Sequence, residues 1–325
     1  MGSAFIAGVG HSAKSQTMND SFGRYGDLDK LVSNSSEPRL VVDNAGRNPK
    51  HRNFEGPSWM NGVLYFSDQP GGYHALYPDG TWKRINDAGW TCGSTPLPNG
   101  NLAVCYIVDR TVVEMNPSGE IIGVIADSYD GAPFSGNPND LITDNRGGLY
   151  ITVNLMRSQN SNEVFYLGPD DRLRQVIPKM VYSFPNGCVL SPDGGTFYLT
   201  DTNSYTVWAY TVQPDGGLKN PRPFAELAMP TGRSGEKPRG SAADGMTVDA
   251  DGRLYVATVF GIQVFGSDGS PLGGLSLPRQ PTHCCFGGAN LSTLFVTCRQ
   301  GIYAFDTEVK GLQYPIELRP RMDAR

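Results

Sequence analysis

The sequence predicts an all-β protein, a six-bladed β-propeller of four-stranded antiparallel blades. Three observations predict it: a turn followed by an apolar run recurs six times, further strand-and-turn pairs lie between the copies, and no long helical period interrupts them. The copies occupy residues 61–68, 99–105, 145–152, 192–201, 251–258 and 288–297. Most open on Asn-Gly or Asp-Gly, residues that tolerate the positive φ of a hairpin turn, and run into β-branched or aromatic residues. Third strands are expected at 112–115, 163–167, 207–210 and 261–265, each followed by a Pro-, Asp- or Gly-bearing turn. A unit of four strands over roughly 35 to 60 residues suits a propeller blade better than a sandwich.

Residues 1–38 are polar, Gly/Ser-rich and aperiodic, and are read as an N-terminal extension; residues 39–325 are assigned to the propeller. The last copy ends with the strand at 301–305, which leaves its blade one strand short. Residues 39–42 are expected to supply that strand by pairing across the seam of the ring.

Composition narrows the function. Hydrophobic residues make up 39% of the chain, ample for a core, while 40 Gly and 24 Pro suit many short strands and tight turns. A net charge of −5 provides no basic stripe to neutralise phosphates, so nucleic acid is not an expected partner. Six cysteines occur without CxxC spacing and read as free thiols, mostly buried. His283, Cys284 and Cys285 are consecutive, and adjacent strand residues face opposite ways, so the three cannot converge on one zinc ion. No run of eighteen apolar residues occurs, and the opening MGSAFIAGVGHSAK lacks the features of a secretion signal. A soluble cytoplasmic protein without membrane contact is expected, its oligomeric state left open.

The innermost strand of a propeller blade starts at the axis, so the residue before each such strand should face the central channel. Across the six units these residues are Glu55, Cys92, Asn139, Asn186, Asp244 and His283. Glu, Asn, Asn and Asp make a ring of oxygen donors with two negative charges, suited to Ca²⁺, Mg²⁺ or Mn²⁺. Asn-Gly and Asp-Gly are also ordinary turn residues, which is the competing reading of any one position. Four at equivalent points of successive blades weaken it, because a buried carboxylate ring without a cation is costly.

These residues carry a resemblance. Glu55 within EGP, residues 137–140 as NPND, 185–187 as PNG and 243–246 as ADGM are similar, in order, to motifs of the SMP-30/gluconolactonase family of six-bladed propeller lactonases, which includes regucalcin-type proteins. The resemblance spans roughly residues 50 to 310. It implies that Glu55, Asn186 and Asp244 hold a divalent metal, with Asn139 approaching the metal or the substrate. The cofactor it implies is Ca²⁺ first, with Mg²⁺, Mn²⁺ or Zn²⁺ as alternatives. Asp244 is then the favoured general base, and Asn139 its catalytic neighbour. Cys92, Trp90, Asn137, His283 and Phe184 would shape the substrate pocket, and Asp201 would either support the ligands or cap a turn. Two departures stand out: Asn137 replaces an Arg common in sugar-lactone members, and Cys92 replaces an Asn. Both point to a substrate less polar than a sugar lactone.

The expected activity is therefore a metal-dependent hydrolase opening a lactone or related cyclic ester on a small-molecule substrate. The metal polarises the carbonyl and Asp244 activates water. Other readings are a phosphotriesterase-like hydrolase, another ring-opening or C–C hydrolase reaction on the same site, and a non-enzymatic calcium-binding propeller. Thr247, where phosphotriesterase propellers carry an Asp, lowers the first of these. Neither G-x-S-x-G nor a P-loop occurs. The glycines at Gly8 and Gly10 follow no strand and open no helix, so they are not read as a dinucleotide fingerprint.

Overall fold

The computed structural model describes residues 37–44, 53–87, 89–156, 158–228 and 240–314. The extension expected over residues 1–38 lies almost wholly outside the described residues.

Six four-stranded antiparallel sheets form six blades around one axis. Their innermost strands, blade 1 to blade 6, are Asn53–Met60, Thr91–Pro96, Asn137–Thr143, Pro185–Leu190, Met246–Val248 and Pro281–Gly287. Each touches the next, and the sixth touches the first, so the ring is closed. No α-helix occurs among the described residues, and none of their helices is long and apolar enough to cross a membrane.

The turn chemistry read from the sequence is present. Between the first two strands of blade 1, Asn61 and Gly62 have φ of 51° and 84°. Positive φ at both central residues is the pairing whose twist matches that of a hairpin. The expected third strands at 163–167 and 261–265 appear as Glu163–Leu167 and Gly261–Phe265.

Six hydrophobic clusters of buried residues account for the core, and each lies between two neighbouring blades. The blade 3–4 cluster shows the packing: Tyr150 and Phe197, both without exposed surface, sit with ring centroids 4.8 Å apart. Truncating such a buried Phe to Ala typically costs about 3–5 kcal/mol. Every interface also carries a hydrogen bond close to the axis. Ser67 Oγ donates to Cys92 O at 2.6 Å, Thr143 Oγ1 to Pro96 O at 2.7 Å, and Asn154 Nδ2 to Pro185 O at 2.8 Å. Thr200 Oγ1 donates to Asp244 O at 2.9 Å, Gly245 N to Thr282 O at 2.8 Å, and Thr282 Oγ1 to Phe54 O. These bonds satisfy carbonyls that would otherwise be buried without partners.

The ring closes as expected. Arg39–Asp43 pairs antiparallel with Gly301–Asp306, placing Val42 opposite Ile302 and completing blade 6 from the N-terminal side. Val42 is 1% exposed and packs in the cluster that joins blades 6 and 1. Arg279 ties the seam by donating to Asp43 Oδ1 at 3.1 Å. Deleting residues 1–43 removes this strand and bares the edge of blade 6. The shortened protein is expected to lose at least about 3 kcal/mol, read as a lower urea midpoint, with greater aggregation.

Candidate functional site

The six positions singled out in the sequence do lie around one axis, but not before the inner strands. Five of the six sit inside them, at irregularities in the pairing register: 55–58 in blade 1, 91–94 in blade 2, 138–141 in blade 3, 185–188 in blade 4 and 281–283 in blade 6. A bulge frees a residue from the ladder and re-aims its side chain. Asp244 alone precedes its strand. It is held by Asp244 N–H to Ala257 O at 3.0 Å, with Ala257 N–H returning to Gly245 O at 3.0 Å.

Glycine follows four of the six for a steric reason. A Cβ on Gly56 would lie 2.3 Å from Cys92 O, on Gly93 2.6 Å from Asn139 O, on Gly187 2.3 Å from Asp244 O, and on Gly245 1.9 Å from the His283 ring. Each glycine lets the next inner strand approach the axis. Only Gly56 among them also needs positive φ, at 48°. The competing reading of Asn-Gly and Asp-Gly as mere turn residues therefore does not describe these sites.

The ring is electrostatically loaded. Glu55 is 8% exposed, and its pKa lies well above the ordinary carboxyl value, chiefly through burial and then through the negative charges of Asp244 and Asp140. Thr282 and the Gly56 N–H hydrogen-bond to it and offset part of this. Burial likewise raises Asp244 to about 7; His283 and Arg299 oppose that rise electrostatically, while Asp140 adds to it. The Asn186 amide donates to Thr202 Oγ1 at 2.9 Å and hydrogen-bonds the Asp244 carboxylate, leaving its carbonyl oxygen as the group able to face a cation. Thr202 in turn donates to Ala243 O at 2.8 Å. Glu55 and Asp244, with the side-chain oxygens of Asn186 and Asn139, are the hard oxygen donors a divalent cation would take, and such a cation would relieve the carboxylates' mutual repulsion. Among the described residues no three His, Cys, Asp or Glu side chains form a metal-holding group by themselves, so amide oxygens from Asn186 and Asn139 would have to complete the shell.

The remaining positions separate. Trp90, Asn137 and Phe184 each stand two residues before a ring position, at the same end of the axis. Trp90 is 42% exposed, whereas Asn137 and Phe184 are half-buried. Cys92 is buried in the hydrophobic cluster between blades 2 and 3, where burial pushes its thiol well up and leaves it neutral and apolar in character. Asp201 accepts from Ser183 N at 2.9 Å and Phe184 N at 3.0 Å, capping the turn that leads into Asn186.

Asp140 was missed as a site residue, although it ends the NPND motif. It is 3% exposed and bonds His283, which lies in the blade directly across the axis, with Asp140 Oδ2 3.2 Å from His283 Nε2. Burial works against the imidazolium, but the Asp140 carboxylate, the Cys284 backbone and the Asp244 charge together outweigh it and raise the His283 pKa.

Residues 54–300 match the family model described as SMP-30/Gluconolactonase/LRE-like region. A gluconolactonase of Zymomonas mobilis is 30% identical over 294 residues, covering 79% of each chain. The solved structure of a gluconolactonase from Xanthomonas campestris superposes with a TM-score of 0.73 at 25% identity, covering 87% of this chain and 93% of that one. A calcium-binding protein, regucalcin, from Agrobacterium tumefaciens superposes at 0.69 with 18% identity, covering 87% and 98%, a likeness of fold alone.

Two outcomes are expected. A carboxyl whose pKa is higher folded than unfolded favours folding at low pH, and this contribution is lost as pH rises through the folded value. Asp244 and Glu55 should therefore make the EDTA-treated protein less heat-stable at pH 8 than at pH 5, and the raised His283 pKa acts in the same direction. Added Ca²⁺ should raise the melting temperature by a few degrees at pH 8 and by less at pH 5, measured by differential scanning fluorimetry. Separately, Gly245→Ala should cost about 1–3 kcal/mol by urea denaturation, because its methyl meets the His283 ring.

Proposed function

The chain belongs to the SMP-30/gluconolactonase/LRE-like family, and from that membership and the axial ring we propose that it opens a lactone or related cyclic ester. The observation that supports this most is the convergence of Glu55, Asn186 and Asp244 from three separate blades. A divalent cation held by these residues, Ca²⁺ being the first choice, would polarise the lactone carbonyl and stabilise the charge that develops on its oxygen. The gluconolactonase relatives support the reaction class.

The chain's own residues divide the remaining work. Asp244, with a pKa near 7 before any cation binds, is suited to take a proton from attacking water close to neutral pH. Asn186 fixes the Asp244 carboxylate by its hydrogen bond, and Thr202 fixes Asn186. Asn139 would hydrogen-bond the substrate or ligate the cation. Trp90 and Phe184 offer apolar faces at the same end, and Cys92 withholds a polar contact. That wall favours a lactone with an apolar substituent over a polyhydroxylated sugar lactone.

The test is hydrolysis of a panel of sugar, aliphatic and aromatic lactones by the purified protein, with and without EDTA. Activity should appear on the aliphatic or aromatic members and vanish on chelation. Asp244→Asn should lower kcat by about 10²–10⁴-fold. Turnover indifferent to both EDTA and this substitution would exclude the mechanism.

A further inference from the structure

Below the ring the axis continues. A cavity of about 50 Å³ is lined by Ser58, Ser94, Met246, Thr247, Leu312 and Tyr314 among others. Apart from His283, its inner-strand residues stand one to four positions beyond the ring positions, so it is the lower half of the same channel. The C-terminal segment bounds it: Tyr314 hydroxyl donates to Leu190 O at 3.3 Å and Gln313 Nε2 to Trp59 O at 3.3 Å.

Asp140 and His283 belong to both halves. They line this cavity, and both act electrostatically on Asp244 above it. Their bond runs from blade 3 to blade 6, straight across the channel. Both ends are braced. Asp140 accepts Leu141 N–H on Oδ1 and Cys188 N–H on Oδ2, each at 2.9 Å. On the other side, His283 Nδ1 lies 2.8 Å from Cys284 N and 3.0 Å from Cys284 O, which fixes the ring with Nε2 facing Asp140. Gly245 leaves the ring its place. Nothing in the cation-holding set requires such a crossbar.

We propose that the His283–Asp140 bridge is the floor of the substrate site. It sets how deep a ligand reaches and selects against lactones whose substituent would have to enter the lower cavity. This rests on the lactone reading above. His283 supplies the bulk that divides the channel, and Asp140 holds it there, so His283 acts as a specificity determinant.

The test compares the wild type with His283→Ala, which removes the floor, and His283→Gln, which keeps length and a donor. The ratio of kcat/KM for δ-decalactone to that for δ-valerolactone is measured in each. In His283→Ala the ratio should rise about tenfold or more, the discrimination that a few methylenes in an apolar pocket give. In His283→Gln it should stay near the wild-type value. An unchanged ratio in a folded His283→Ala protein would overturn the proposal, and His283→Ser replaces that variant if it does not fold. A crystal structure of the same variant decides the point without turnover: one void continuous from Asp244 to Leu312 supports the floor, and two separate voids refute it. If no protein opens any lactone, the lactone reading fails and the crystal structure still decides the floor.

Discussion

Six inner strands can meet around one axis only if their backbones approach closely, and the rest of the molecule depends on that approach. Carbonyls on the inner strands are then shielded from water and must find donors inside the protein. They find them in the next blade: Ser67, Thr143, Asn154, Thr200, Gly245 and Thr282 close a circuit of hydrogen bonds around the whole ring. Glycine at 56, 93, 187 and 245 makes room for it. The apolar clusters farther out supply most of the driving force, but the polar circuit defines the spacing at which the blades lock.

The same crowding creates the chemistry. Glu55, Asp140 and Asp244 come from blades 1, 3 and 5, and in an unfolded chain they would be solvated and indifferent to one another. Brought to the axis they lose water and feel each other's charge, which is why Glu55 and Asp244 hold protons more tightly than ordinary carboxyls. Such a cluster is unstable by itself unless protons or a cation compensate it. His283 supplies part of that compensation from the opposite side. Fold stability and the raised proton affinity of these carboxyls are therefore two expressions of one electrostatic load.

Ring closure holds the load in place. The strand Arg39–Asp43 bonds the C-terminal blade to the N-terminal side of the chain, so blades 6 and 1 cannot separate without breaking a strand pair and uncovering Val42. A propeller left open at the seam would let the carboxylates relax apart.

Much of this was legible in the sequence because it is local. Asn-Gly and Asp-Gly before apolar runs announce hairpins through φ alone, and the count of such units announces six blades. The seam strand followed from a blade one strand short. The ring positions were found by their recurrence, although they were placed before the inner strands; a register bulge is set by pairing with a neighbour and leaves no mark on the residue itself. What only the tertiary structure decided is how residues far apart in the chain share space. Cys92 turned into the core between two blades. Asp140 and His283, 143 positions apart, met across the channel. Asp201 became the cap of a turn. Backbone preferences act over a few residues and can be read along the chain, whereas burial and Coulomb forces depend on distances that exist only after the blades have packed.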